Sequence, residues 1–509
     1  MTLTAHIDFA DPHDRSAPRL RQAFGAPREV LQAHQLQDVR AVLDAVHAAA
    51  QRGHWCVGHV RYEAAAAFDA ALQTHAADGP LAWFAVYDAP LPWPADGSAD
   101  AADPAAQVEW TGGPDRAGFD AAIAHIQQAI SAGELYQVNY TAPLTGSLRQ
   151  GSAAALFAAL QRAQPGGYAA HMAAGPEQVL SVSPELFFDW HDAPGGGRIL
   201  ARPMKGTAAR GATPADDAAQ AAHLRASPKE RAENVMIVDL LRNDLSRIAQ
   251  PHSVRVPALF HTEGLPTVWQ MTSDVQARTR AGIRLSDVFA ALFPCGSVTG
   301  APKVRAMQMI RALESAPRGV YCGAVGVVRP AGVAGPDGLC SVAATFNVPI
   351  RTVVLRAGAD GATTATCGIG SGQPHAEAFA LHPTPEPVRL QLAGRPLPEA
   401  HGEFVRYKTT RRAHYTALAP TTPGVFDTVL WNEAGEITET TFGNIAMLLD
   451  GRWVTPPLAC GLLPGVGRAV ALREGRLTEA VVRLQDLPRV QAWAFVNSLR
   501  GWLAAELVP

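Results

Sequence analysis

Between residues 373 and 400 the sequence turns abruptly proline-rich: Gln373-Pro374-His375, then His382-Pro383-Thr384-Pro385-Glu386-Pro387, then Gly394-Arg395-Pro396-Leu397-Pro398. Proline locks φ and has no N–H to donate, so neither a long helix nor an interior strand should run unbroken through such a stretch. The chain is therefore expected to fold as parts joined there rather than around one core. With 509 residues, 48% of them hydrophobic, both sides of the joint are long enough to bury a core. Four segments are read: an α+β segment at residues 1–108, a main domain at 109–372, the joint at 373–400, and a compact region at 401–509.

Charge narrows the function classes. The net charge is -3 and 17% of residues are charged. No basic stripe exists to hold nucleic acid or an anionic membrane, so a small-molecule enzyme is the default. Residues 1–10 carry His6 and Asp8 and lack a basic segment followed by an apolar core. No apolar run reaches membrane-spanning length, and a cytoplasmic location is expected. Cys56, Cys295, Cys322, Cys340, Cys367 and Cys460 are scattered without a CxxC pair, so they read as small hydrophobes in a reducing compartment.

Periodicity supplies the fold class. Residues 31–52 place Val39, Val42, Leu43 and Val46 at helical spacing, and residues 55–60 read as a strand. Residues 119–132 form a second helix ended by Gly133, followed by an alternating strand at 135–140 that puts Gln137 and Asn139 on one face. Strand-like runs recur at 178–183, 186–190, 320–328, 340–348 and 352–356, with helices at 230–247 and 303–313. Antiparallel strands broken by a few helices predict layered α+β architecture.

Several segments carry residues suited to chemistry. In Arg202-Pro203-Met204-Lys205-Gly206-Thr207, Lys205 sits between a rigid proline and a flexible glycine. An ammonium becomes a nucleophile when burial near other cations strips its proton, whereas the plain alternative is a solvated loop lysine. In Ser183-Pro184-Glu185, a shielded Glu185 would have a raised pKa and could donate a proton to a leaving hydroxyl. On the helix around 230–247, Asp239 and Arg242 are spaced to pair, while Glu233 has no evident partner and suits a hard cation such as Mg²⁺, or else a solvated face. The small-residue turn at 293–303 contains Thr299 and opens a helix at Pro302, a place for an anion or a mere cap. Arg351 lies in a strand-like run, and Gly368, Gly370 and Gly372 let a backbone approach a ligand closely.

In their order along residues 110–372, these segments resemble the chorismate-utilising family. The matching pieces are Tyr136-Gln137-Val138-Asn139, Ser183-Pro184-Glu185, 202–207, 232–244, 293–303, 319–326, Ile350-Arg351-Thr352 and 368–372. The resemblance implies the chorismate-binding fold. The Pro-x-Lys-Gly-Thr form resembles the aminodeoxychorismate synthase component I branch, whereas anthranilate synthases are expected to carry Ala at position 205 and a histidine at the position of Gln270. It implies that Lys205 attacks chorismate with Glu185 as general acid, and that ammonia then displaces the lysine. Gln137 stands where water-activating relatives have lysine. The resemblance also implies Mg²⁺ on Glu233, with Gln137, Thr299, Tyr321, Arg351, Gly368 and Gly370 binding substrate. No glutaminase triad is visible, so a glutamine amidotransferase subunit is the implied partner.

Residues 401–509 resemble part of the fold-type IV pyridoxal-phosphate proteins, the lyases acting on aminodeoxychorismate in particular. The segments are Tyr407 to Arg412, Gly435 to Asn444 and Gly461 to Arg468. The resemblance implies Lys408 as the Schiff-base lysine and Glu439 opposite the pyridine nitrogen, with pyridoxal phosphate as candidate cofactor. Two departures converge on the joint. The helix expected to follow Gly372 with a second Mg²⁺ carboxylate is missing, with Glu377 and Glu386 off its spacing, and so is the N-terminal half of the lyase-like fold. Lyase activity is accordingly not expected from the chain alone. An anthranilate synthase large subunit, or a catalytically impaired scaffold for the amidotransferase, are the alternatives.

Overall fold

In a computed structural model, the described residues are 3–14, 16–93, 105–111, 116–265, 268–332, 338–358, 361–370, 384–402, 405, 413–497 and 500–508. The chain divides into two compact units, Met1–Gly372 and Gln373–Pro509.

The first unit is built on two antiparallel sheets. One has eight strands in the spatial order Leu20–Phe24, Ala5–Phe9, Tyr168–Ala174, Glu177–Ser183, Thr352–Ala357, Thr363–Gly370, Thr141–Gln150 and Gln107–Thr111. The other has ten, running Met204–Ala209, Val268–Arg278, Arg198–Arg202, Leu186–His191, Ser341–Asn347, Ala324–Ala331, Trp55–Val60, Ala82–Tyr87 and Glu29–Ala33, with Arg255–Gly264 beside Val268–Arg278. Residues 1–108 and 109–372 thus contribute strands to the same sheets. An apolar layer including Ile7, Phe9, Phe24, Met172, Val179, Leu186, Leu200, Val325 and Val327 draws from both. The opposite face of the ten-stranded sheet carries the helices Val39–Gln51, Pro228–Ser246 and Leu285–Leu292 over a larger core that contains Phe188, Trp190, Phe289 and Phe346.

Helix boundaries follow local chemistry. Ser227 caps Pro228–Ser246 by accepting from the Glu230 N–H, with proline at the first turn where no N–H is needed. The reading of residues 31–52 as one helix is corrected. Residues 29–33 pair with Ala82–Val86 as a strand, and the α-helix is confined to Val39–Gln51, preceded by a 3-10 turn at Leu36–Asp38, because strand pairing satisfies the backbone at the start of the stretch. The strand expected at 135–140 contracts to Gln137–Val138, paired with Gly300–Ala301.

The second unit is an α+β arrangement on one mixed eight-stranded sheet, ordered Ile437–Thr440, Asp427–Trp431, Val388–Leu392, Gly501–Val508, Ala492–Asn497, Asn444–Leu449, Arg452–Thr455 and Thr478–Glu479. Val388–Leu392 lies within the stretch read as a joint, yet it is an interior strand paired in parallel on both sides. Its neighbouring prolines stop short of it, and Val388 and Leu390 alternate into the core with Val429, Met447 and Phe495. No helix among the described residues is long and apolar enough to cross a membrane.

Candidate active site

Lys205 projects from Met204–Ala209, the end strand of the longer sheet's spatial order, and its ammonium lies 3.4 Å from Asn139 Oδ1. Burial lowers its pKa, against the pull of Glu185 and Glu233. The expected cation neighbours are therefore replaced by carboxylates: loss of water, not repulsion by another positive charge, is what frees the amine.

Glu185 stands just before the strand Leu186–His191 and is 3% exposed. Burial pushes its carboxyl up to about 7, opposed by Ser297 and Lys205. One oxygen accepts a long hydrogen bond, 3.4 Å, from the Met204 N–H. A carboxyl so placed is partly protonated at neutral pH and can hand its proton to a departing hydroxyl. Its backbone is held by the Ser183 hydroxyl, which accepts from the Glu185 N–H at 3.1 Å and donates to the Val348 carbonyl at 2.5 Å.

Glu233 comes from the helix Pro228–Ser246. It is half-buried, its pKa raised by burial and by Glu230 against the Lys205 and Lys229 charges. Among the described residues it makes no hydrogen bond or ion pair, so its oxygens are free for a hard cation. The neighbouring Asp239 and Arg242 do pair, at 3.4 Å. The Gln137 Oε1 is likewise buried without a partner.

Other expected residues are placed differently. The Thr299 hydroxyl donates back to the Cys295 and Gly296 carbonyls, 3.1 and 3.4 Å away, so its proton is committed to its own turn. Arg351 lies before the strand Thr352–Ala357 rather than within it, with φ 53. It is exposed and its guanidinium bonds Gln164; no hydrogen bond or ion pair joins it to Lys205, Glu185 or Tyr321 among the described residues. Tyr321 and Gly368 do meet, since a β-carbon on Gly368 would fall 2.1 Å from the Tyr321 ring. Both line a cleft with Arg61, Glu177, Glu314 and Arg318. Gly370 ends its strand, paired with Thr141, and Gly372 lies outside the described residues. The helix after Pro302 begins at Lys303, whose ammonium is taken by Asp244 at 2.7 Å.

In the second unit Lys408 lies outside the described residues. Glu439, 3% exposed, accepts from the Tyr415 hydroxyl and, at 3.1 Å, from the Leu463 N–H. Both of its oxygens are thereby engaged.

Residues 9–377 match the family model for chorismate binding enzyme. The chain belongs to that family. Residues 342–508 match the model for amino-transferase class IV. Among curated proteins, aminodeoxychorismate synthase component 1 of Klebsiella aerogenes is 43% identical over 43% of this chain and 47% of its own length. Aminodeoxychorismate synthase of Streptomyces griseus is 44% identical over 48% of this chain and 32% of its own. Anthranilate synthase component 1 of Streptomyces coelicolor is 37% identical over 51% and 48%. The chain spans less than half the length of these relatives. The crystal structure of anthranilate synthase component I from Streptococcus pneumoniae shares the fold with TM-score 0.52 and 21% identity, covering 73% of this chain and 86% of that one. The menaquinone-specific isochorismate synthase of Escherichia coli does so with TM-score 0.51 and 16% identity, over 73% and 83%.

Within this chorismate-binding unit, sequence reasoning passed over the residues that hold the site together. Arg318, nearly fully buried, ion-pairs Glu314 at 2.6 Å and donates to the Asn139 and Val298 carbonyls at 2.6 and 2.7 Å. It thereby fixes the segment whose side chain meets Lys205. In the sequence Asn139 is one polar residue of a short strand and Ser297 one small residue in a turn. Their only signal was adjacency to motif positions, since hydrogen bonds across 158 and 179 residues leave no local pattern.

Proposed function

We propose that the chain is an aminodeoxychorismate synthase component, converting chorismate and ammonia to 4-amino-4-deoxychorismate on the way to 4-aminobenzoate and folate. The observation that carries this reading is the pairing of a burial-depressed Lys205 with Glu185, whose pKa is near 7. The Lys205 amine forms a C–N bond at C2 of chorismate, the ring double bonds shift, and the C4–O bond breaks as Glu185 supplies the proton that lets water leave. Ammonia then bonds at C4 while the C2–N bond breaks and the amine is restored. Splitting one substitution into two lowers each barrier. Asn139 orients the amine, and the unpartnered Gln137 amide oxygen accepts from substrate without activating water.

Glu233 would hold Mg²⁺, which when bound neutralises a chorismate carboxylate. Tyr321 and the Gly368 backbone, which share a cleft, would wall the other end of the substrate, with Arg351, Gly370 and Thr299 as further candidate substrate-binding residues. Ammonia would come from a glutamine amidotransferase partner, and a cytoplasmic setting is proposed. The second unit, carrying Lys408 and Glu439, is assigned no lyase activity by itself, and its use of pyridoxal phosphate would need residues beyond those described.

Purified protein with chorismate, Mg²⁺ and ammonium should yield 4-aminobenzoate when an intact lyase is added, and none when Lys205→Ala replaces the wild type. Anthranilate fluorescence instead would mean the sister reaction; no product in any arm would leave only a scaffold.

A further inference from the structure

A bulge redirects two side chains of the strand Leu186–His191. Its register slips between Leu186 and Phe188 against Ser341–Asn347, and between Leu186 and Asp189 against Arg198–Arg202. Phe187 and Phe188 consequently both enter the helix-covered core, their rings 5.0 Å apart. The alternation beyond them is rephased: Trp190 joins that core, while Asp189 and His191 emerge on the other face of the sheet. There they meet His13, from the loop after the strand Ala5–Phe9. His13 Nε2 and His191 Nε2 lie 3.0 and 3.1 Å from the same oxygen, Asp189 Oδ2. Among the described residues this is the one group of three such side chains whose donor atoms all fall within 4.8 Å of one another.

We propose that His13, Asp189 and His191 form a binding site for a first-row transition dication, Zn²⁺ by donor type, apart from the Lys205 site and joining the N-terminal loop to the far end of the strand that follows Glu185. Two imidazole nitrogens and one carboxylate oxygen are borderline ligands suited to zinc and its neighbours and poorly matched to Mg²⁺. A tetrahedral ion about 2.0–2.1 Å from its donors holds them about 3.3 Å apart, so each histidine needs only a few tenths of an ångström of spreading from Asp189. Each ring proton shifts to Nδ1, leaving the Nε2 lone pairs for the ion.

The surrounding groups keep the donors ready. Asp189 is 3% exposed, and its other oxygen accepts from the Thr345 hydroxyl at 2.7 Å, which holds the carboxylate plane as an outer ligand would. The Asp11 carboxylate accepts the His13 N–H at 2.7 Å and steadies the loop. Arg329 is a nearby positive charge among the described residues, and its Nε has no hydrogen-bond partner. Its guanidinium stacks on Trp55, 5.8 Å from the ring centroid. His13 is partly open to water, which leaves a coordination position for solvent and a path of entry.

The test is a titration of metal-stripped, full-length protein with Co²⁺, followed by visible absorption, with Zn²⁺ as competitor. Intense bands of a four- or five-coordinate ion are expected, displaced by Zn²⁺. His13→Ala and His191→Ala should each weaken binding at least about tenfold, the range seen when even outer-shell partners are removed. His13→Ala alters only a loop side chain, so unchanged circular dichroism and unchanged Mg²⁺-supported turnover of chorismate should accompany its loss of cobalt affinity. Absence of such bands in the wild type, or equal affinity in His13→Ala, would overturn the proposal.

Discussion

Glu185 in the first unit and Glu439 in the second are equally buried, at 3% exposure each, yet the structure treats them in opposite ways. Glu439 has a donor on each oxygen, the Tyr415 hydroxyl and the Leu463 N–H. Glu185 has the long 3.4 Å contact from Met204 and the Ser297 hydroxyl, and its carboxyl sits near pH 7. A buried carboxylate held by two donors can serve as an anchor; one whose pKa burial has raised beside a water-starved amine can move a proton.

The contrast can be broken most severely at Lys205. Replacing it with alanine should cut formation of aminodeoxychorismate by at least about 10³-fold, since loss of a covalent nucleophile removes the whole divided pathway. Glu185→Gln should lower turnover by about 10²–10⁴-fold, the usual worth of a positioned acid. The matching Glu439→Gln should leave chorismate turnover unaltered, and a rate loss comparable to that of Glu185→Gln would erase the distinction.

Stability supplies a sharper discriminant. The folded-state pKa of Glu185, about 7, lies above its ordinary 4.5, so between those values the folded protein keeps a proton that the unfolded chain has lost. Stability from this group falls as pH climbs from 4.5 to about 7 and stays reduced above. Glu185→Gln should remove that slope and gain about 3 kcal/mol over wild type at pH 8, read from denaturant melts at several pH values. Glu439→Gln should go the other way, losing about 1–3 kcal/mol in melts of the second unit's signal, because it unpairs buried donors. The smallest effect belongs to the helix pair Asp239–Arg242, 3.4 Å apart and partly exposed. Arg242→Ala should cost no more than about 0.5 kcal/mol in the same melts.

The elements that could be read from sequence were those whose side-chain spacing and end signals agreed. The helix Lys303–Leu313 has the bounds read from its spacing, and the helix at 228–246 was displaced by only two residues at its start. Misreadings arose where distant backbone competed. Residues 31–33, read as the start of a helix, belong instead to the strand Glu29–Ala33 because Ala82–Val86 offers its hydrogen bonds. Val388–Leu392 was hidden among prolines, although its alternation is plain once flanking strands are in place. Of the site, Lys205, Glu185 and Glu233 could be named, but Lys205 was assigned the wrong surroundings, cations where carboxylates stand.

Local order in the chain was enough to establish the layered α+β class, the chorismate-binding motifs and the residue types able to act as nucleophile, acid and cation ligand, because these depend on side-chain identity and near-neighbour spacing. Long-range packing settled the rest. The Asn139 contact to Lys205, the buried Arg318 that fixes it, the burial that raises the Glu185 pKa and the bulge that gathers His13 with Asp189 and His191 all join residues far apart in the chain. Burial and hydrogen-bond satisfaction are properties of that assembled surface, and they set the pKa values on which the chemistry rests.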